Sequence, residues 1–285
     1  MMEDPYHEVQ GTTLEGGGQL VRLAIGLSAL SGVPVRISDI RGRRPKGGGL
    51  KIQHLTSINW LIMASCARVV GAENKSRTLE FRPVEKVIAR IDSFLRVTLL
   101  TSCYILVDVV SKRPQASPMR GILQKSDEDS MKAPYRLSNS SWPNIIQIER
   151  PPTTKNSFHI KMSTPGAITL VFQAILPFIL FSGTWTEPVR ITIHGGTNVS
   201  FSPSYEYVDQ VLLPTLARIG LPLIGMKLEH RGWSTGRTEV GSVTFTIIPL
   251  AAGSVLPAFT MRDRGDIKHV RATVLAPAAC RTICK

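Results

Sequence analysis

The chain predicts an α/β (α+β) fold of tandem β-α-β-α-β-β units, each laying two helices on one face of a four-stranded sheet. Two observations carry this. Apolar residues at helical spacing alternate with short runs at strand spacing, and the same order of elements occurs twice along 285 residues. A third bears on function: 34 Lys and Arg stand against 21 Asp and Glu, a net charge of +13. Such a balance favours a polyanionic partner held by salt-sensitive contacts, nucleic acid first among them.

In the first unit a short strand around Glu8 to Gln10 precedes Leu14-Glu15-Gly16-Gly17-Gly18-Gln19-Leu20-Val21-Arg22. Three glycines between a carboxylate and an apolar run strip side chains from the point where a strand hands over to a helix, so a phosphate can reach the backbone. Glu15 is a candidate ligand for a divalent metal, and Gln19 and Arg22, three apart, share a face of the first helical turn. The competing reading is a flexible turn before a core helix with a solvated arginine.

From Gln19 to Leu30 the residues Leu20, Leu23, Ala24, Leu27 and Leu30 recur at helical spacing, and Gly32 is placed to end the helix. Pro34 to Ile40 alternates Val35 and Ile37 inward with Arg36 and Ser38 outward, a half-buried strand. It delivers Arg41-Gly42-Arg43-Arg44-Pro45-Lys46-Gly47-Gly48-Gly49, where dense positive charge on a permissive backbone suits an anion. Gln53 to Val69 reads as helix through Leu55, Ile58, Leu61, Ile62 and Cys66, and Thr78 to Arg82 as strand.

The order returns as a strand at Phe158 to Met162, an apolar helix at Gly166 to Phe181, a strand at Val189 to His194, an amphipathic helix at Tyr205 to Ile219, and strands at Leu223 to Arg231 and Val240 to Leu250. The fourth strand is clear only in this second copy. The expected division is 1–83 and 158–255 for the two units, 84–157 for an atypical insertion, and 256–285 for the start of a further domain. Glu85 to Lys155 has no sustained period and is Ser-, Pro- and charge-rich, so most of it is expected to be disordered or loosely packed. Val270 to Leu275 reads as the beginning of another strand.

Cys66, Cys103, Cys280 and Cys284 form neither a metal-ligand spacing nor a disulfide framework, so reduced thiols are expected. Met1 to Gln10 is too acidic and polar for a signal peptide, and no apolar run reaches the roughly 20 residues that span a bilayer. A soluble intracellular protein without a membrane partner is expected.

Glu15-Gly16-Gly17-Gly18-Gln19 with Arg22, Ile40-Arg41 with Arg44, Gly49-Leu50-Lys51 and Gln53-His54-Leu55 resemble the amino-terminal half of RNA 3'-terminal phosphate cyclases. Further blocks follow in the same order. Pro165-Gly166 leading to Leu170-Val171-Phe172-Gln173 and Ile175-Leu176-Pro177 is similar to the helix that opens the family's second repeat, and His194-Gly195-Gly196-Thr197-Asn198, Arg231-Gly232-Trp233 and Arg264-Gly265 are similar to later turns. The resemblance implies ATP-dependent cyclisation of an RNA 3'-phosphate through a histidine-AMP intermediate, with ATP and a divalent metal (Mg or Mn) as cofactors, the RNA 3' end as partner, and a nuclear location, nucleoplasm or nucleolus, with the cytoplasm second.

By the same resemblance Glu15 carries the metal, Arg22, Arg41 and Arg44 clamp phosphates, and Gln19, Gln53, His54 and Gln173 orient nucleotide or RNA. Each has a plainer alternative: solvated loop charges for Arg41 and Arg44, a helix cap for His54, a satisfied core amide for Gln173. Thr197 and Asn198 read first as a turn.

Three departures stand out. None of the six histidines occupies the place of the family's nucleophile, Glu85 to Lys155 stands where the family has a short connection, and Ser234 to Glu239 replaces its proline and glycine triplet. A non-catalytic, cyclase-like RNA-binding or ribosome-biogenesis factor with its own partners is therefore the alternative function. The abrupt loss of period in 84–157 and near the end predicts an unspliced segment and a shifted reading frame. Sequencing the mature transcript checks this, and a message encoding the whole stretch refutes it.

Overall fold

The computed structural model describes residues 5–13, 16–44, 47–83, 146–149, 156–162, 164–233, 240–262, 265–270, 272 and 274–275. The first unit comprises β1 (His7–Gln10), α1 (Gly18–Ser31), β2 (Val35–Ser38), α2 (Ile52–Ser65), β3 (Arg68–Val70) and β4 (Leu79–Arg82). The second comprises β6 (Ser157–Met162), α3 (Ile168–Phe181), β7 (Val189–Gly195), a helix in three parts, β8 (Gly225–His230) and β9 (Gly241–Ile247). A further strand, β5 (Ile146–Glu149), comes from the stretch read as an insertion and pairs antiparallel with β6.

The strand orders are β1-β2-β4-β3 and β5-β6-β7-β9-β8. With β5 set aside they are the same order, and the directions match too. β1 with β2 and β6 with β7 are parallel, and the other pairs antiparallel. This shared topology is where the duplication shows, because the residue identities barely repeat.

Three expected elements come out differently. The helix expected to run to Val69 stops at Ser65, because Cys66 takes a left-handed conformation (φ 51°) and its amide bonds back to Ile62. The β-branched pair Val69-Val70 then enters β3, so both copies have a fourth strand. The helix expected over Tyr205 to Ile219 divides into α4 (Tyr205–Tyr207), a π-helical turn (Val208–Leu212) and α5 (Leu213–Arg218). Pro214 has no amide hydrogen to give to the preceding turn, and the wider π turn just before it accommodates its ring. The strand expected at Val270 to Leu275 does not form in its described residues. Val270 and Val274 lie in water with no neighbouring strand to pair them.

Each sheet turns an apolar face to the helices and a polar one to water. On the outer face of the first, Arg36 on β2 bridges Glu8 at 2.8 Å and Glu80 at 2.9 Å. The buried face of α1 is Val21, Ile25, Ala29 and Leu30, rotated from the stripe that leucine spacing marks, since the helix is covered both by its own sheet and by α3. At the crossing of α1 and α3, a Cβ on Gly26 would lie 3.1 Å from the Ala174 carbonyl oxygen.

The two units share one core. Trp60 of α2 is fully buried and meets Phe158 and Phe178 of the second unit edge-on, at 5.8 and 6.1 Å between ring centres, with Trp185 at 6.0 Å. Phe172 of α3 stacks on Phe245 of β9 at 4.0 Å. Edge-to-face and offset rings of this kind add to the apolar area they bury. Among the described residues no helix is long and apolar enough to cross a membrane, and Cys66 is a free, exposed thiol. Because the aromatic cluster spans the seam, Phe178→Ala is expected to cost roughly 3–5 kcal/mol. Denaturant unfolding followed by tryptophan fluorescence checks this, and both units should melt in one transition.

Candidate anion site

Helices α1 and α2 begin without an acidic residue in their first turns, and α1 has only Gly17 at its cap. The starts of both helices carry a partial positive charge that no acidic side chain of the first turn offsets. The structure brings these two ends together. A Cβ on Gly18 would overlap the His54 ring, and one on Gly17 would lie 3.0 Å from Arg44 Nη2. The glycines thus let a side chain of α2 and one of the basic loop reach the backbone of α1, a role that a phosphate-approach argument alone does not supply.

Arg22 is the central cation. It is only 8% exposed, and its Nε has no hydrogen-bond partner among the described residues. Loss of water alone lowers its pKa to about 10. A buried, incompletely paired guanidinium is costly unless something brings it an acceptor.

His54 is 2% exposed, and its pKa falls to about 3, first by burial and then by the charges of Arg22, Arg41 and Lys51. It is therefore neutral at physiological pH. Its Nδ1 accepts a hydrogen bond from the Lys51 amide at 3.0 Å, which leaves the ring proton on Nε2, the atom against Gly18. The cap reading and the ligand-facing reading of His54 are thus compatible: one nitrogen caps the helix and the other is a neutral donor at the site.

The basic loop folds back over this place. Arg41 adopts a left-handed backbone (φ 55°) and its Nη1 donates to the Gly49 carbonyl at 3.1 Å, while the Gly49 amide donates to Ile40. Burial and the neighbouring Arg44 both lower the Arg41 pKa. Mutual repulsion among these cations is relieved by any anion placed between them.

Arg22, Arg41, Arg44 and His54 therefore come together as their residue types suggest. Gln53 borders Gly166, which immediately precedes α3. Gln19 is half-buried in the first turn of α1, and Gln173 is half-buried in α3 beside Ala174 at the crossing with α1. Glu15 lies outside the described residues, as do Ser234 to Glu239 and Arg264, and among the described residues no three His, Cys, Asp or Glu gather to hold a metal. Lys51, which donates the amide that orients His54, is the residue missed in the sequence. An acceptor-bearing side chain, His54, at the third position of a helix was the available signal.

In the second unit the start of α4 meets the loops after β7 and β8 with a carboxylate. Glu206 lies 2.7 Å from Arg231 and accepts a hydrogen bond from Asn198 at 2.9 Å, and Arg231 donates to Asn198 at 2.9 Å. Burial works to raise the Glu206 pKa, but the bonds from Asn198 and Arg231 outweigh it and hold the pKa below the ordinary value. Asn198 is thus more than a turn residue: it ties the loop to the helix.

Fold and side chains together define a duplicated α/β protein with a desolvated cluster of positive charge in its first unit. A model of the family described as RNA 3'-terminal phosphate cyclase matches residues 13–136 and 144–273, taking in much of the stretch that lacks a sequence period. A curated protein of that name from Methylococcus capsulatus is 31% identical over 269 residues, covering 94% of this chain and 55% of its own length. One from Drosophila melanogaster is 30% identical over 226 residues (79% and 43%), and one from Nostoc punctiforme 29% over 265 residues (93% and 56%). The chain belongs to the RNA 3'-terminal phosphate cyclase family. It spans about half the length of these curated relatives.

The depressed His54 pKa fixes a pH dependence. The unfolded chain takes up a proton near pH 6.5 that the folded chain refuses until about pH 3, so stability falls as pH drops through that window and is flat in this respect above it. Denaturation midpoints between pH 4 and 8 should show a slope of at most about 1.4 kcal/mol per pH unit from this residue, and His54→Gln should remove that component.

Proposed function

We propose that this chain supplies the phosphate-binding part of an ATP-dependent enzyme that converts an RNA 3'-phosphate into a 2',3'-cyclic phosphate. One observation carries the reading: the guanidinium of Arg22, buried beside His54 with its Nε unpaired, at the joined amino-terminal ends of two helices. This is a seat for a dense oxyanion. The net charge of +13 supports a polyanionic polymer as the molecule that carries it.

In this reading the RNA 3'-phosphate sits between Arg22, Arg41 and Arg44, and His54 donates from Nε2 as a neutral hydrogen-bond donor. When bound, ATP would supply AMP to a 3'-phosphate oxygen of the RNA end, with pyrophosphate leaving. The neighbouring 2'-hydroxyl, its proton passing to water, then attacks the RNA 3'-phosphorus, and as the new P–O bond closes the ring the bond from that phosphorus to the bridging oxygen breaks and AMP leaves with it. The work of the arginines is to offset the repulsion between two phosphates and the charge that builds on the phosphorus oxygens. His54 cannot serve as a base at neutral pH, because protonation would put a third positive charge beside Arg22 and Arg41. Glu15 is the residue of this unit that would hold Mg or Mn, whose chemistry is charge neutralisation on the phosphates. A nuclear location, with the cytoplasm second, accompanies this reading.

The test compares binding of an oligoribonucleotide ending in a 3'-phosphate with the same oligomer ending in a 3'-hydroxyl. The protein should prefer the phosphate, and Arg22→Ala should remove the preference, weakening the phosphate form roughly 10- to 100-fold, as loss of charge-assisted bonds implies. Equal binding of both oligomers defeats the proposal. With labelled ATP, an acid-labile protein-AMP adduct supports the enzyme, and retained 3'-phosphate binding without an adduct supports a binding role.

A further inference from the structure

A phosphate oxygen that carries a proton needs an acceptor, and the groups gathered where α1 and α2 begin offer donors. Arg22 and Arg44 are guanidiniums, with N–H groups and no lone pair to lend. His54 is the group able to supply an acceptor, since a neutral imidazole donates from one nitrogen and accepts at the other. Its accepting atom, Nδ1, is already taken by the Lys51 amide at 3.0 Å. What remains is the Nε2 proton, held against Gly18.

Charge points the same way from each element around this place. Helix α1 brings Arg22, 8% exposed with its Nε unpaired, and the loop after β2 brings Arg41 and Arg44. Lys51 stands directly before α2, and α3 carries no ionisable residue from Ile168 to Phe181. Neither α1 nor α2 has an acidic residue in its first turn. Asp39, the described carboxylate at the base of the basic loop, faces Arg77 at 3.6 Å. Gln19, Gln53 and Gln173 are uncharged amides, and Gln53 Oε1 lies toward Gly166, 3.7 Å from where a Cβ on that glycine would stand. His54, whose ordinary pKa is near neutrality, stays uncharged because it is buried beside Arg22, Arg41 and Lys51.

We infer, resting on the function proposed above, that this site selects the fully ionised phosphomonoester and rejects both its protonated form and the cyclic phosphodiester that the reaction makes. A singly ionised phosphomonoester brings a P–O–H group whose proton would meet N–H groups, and a buried donor without an acceptor is costly. The cyclic phosphate has one negative charge and two free oxygens where the substrate has two charges and three oxygens, so it forfeits charge-assisted bonds to the arginines. Closing the ring therefore loosens the hold of the groups that bound the substrate. The bond from the Lys51 amide to His54 acts as a specificity device, because it turns the histidine's acceptor away from the ligand.

The whole chain is tested in EDTA, from pH 5 to 8, with circular dichroism taken at each pH. Its ligands are one oligoribonucleotide ending in a 3'-phosphate, a 2',3'-cyclic phosphate or a 3'-hydroxyl. The second ionisation of a phosphomonoester lies near pH 6, so the 3'-phosphate form should weaken roughly tenfold between pH 8 and pH 5. The cyclic form should bind roughly 10- to 100-fold more weakly than the 3'-phosphate at pH 8. Inorganic sulfate, dianionic throughout this range, should compete with an inhibition constant that does not change with pH. His54→Gln, which offers an acceptor beside its donor, should shrink the loss of 3'-phosphate binding at low pH. If sulfate weakens in step with the RNA phosphate, a protein group is titrating and the inference falls. If the native chain prefers 3'-phosphate to 3'-hydroxyl while neither acid nor ring closure weakens it, the inference falls and the anion site stands. If 3'-phosphate and 3'-hydroxyl bind alike at pH 8, the proposed function fails and the inference with it.

Discussion

Helix α3 has almost no polar residue to offer to water, and the arrangement of both units follows from that. Ile168, Val171, Phe172, Ile175, Phe178 and Ile179 are all buried, on a helix whose apolar positions run nearly all round it. A single sheet can cover one side of such a helix. The other side must be taken by a second layer, and α1 and α2 of the first unit provide it. The absence of a side chain at Gly26 lets α1 come close to α3, and Trp60 carries α2 into the aromatic cluster of the second unit.

That packing sets the chemistry of the site. Once α1 and α2 are held side by side, their amino-terminal ends lie together and Arg22 is taken out of water between them. Folding a cation into this position is unfavourable by itself, and no carboxylate from either first turn offsets it. In the second unit the first turn of α4 does carry a carboxylate, and Glu206 neutralises Arg231 there. The charge gathered at the start of α1 and α2 owes its desolvation to the core packing that holds the two helices together.

Several parts of this were legible in the residues. The alternation around Val35 and Ile37, the glycine run before Gln19 and the arginines of the loop after Ile40 predicted a strand, a helix start and a concentration of positive charge, because local backbone preference and charge density act over a few residues. The end of α2 was not legible. Leu61, Ile62 and Val69 continue a helical spacing, and only the left-handed turn at Cys66 and the pairing of Arg68–Val70 with β4 break it. The buried face of α1 was likewise not legible, since leucine spacing marks apolar positions and cannot say that a second helix covers the other side. The role of Gly18 was half legible: small size was evident, and the ring of His54 that needs the space comes from a helix 34 positions later.

Taken alone, the sequence determined the duplicated order of helices and strands, the basic balance of the chain and the charge-rich loop after Ile40, while His54 was marked only by resemblance to the family. The first three follow from periodicity, glycine and proline placement and side-chain charge, each a property of neighbouring residues. Tertiary structure decided that Arg22 is desolvated, that His54 is neutral with its proton on Nε2, and that Glu206 pairs with Arg231 in the second unit. The reason is physical: loss of water, the sum of nearby charges and the choice of hydrogen-bond partner depend on groups far apart in the chain, and only packing brings them within range of one another.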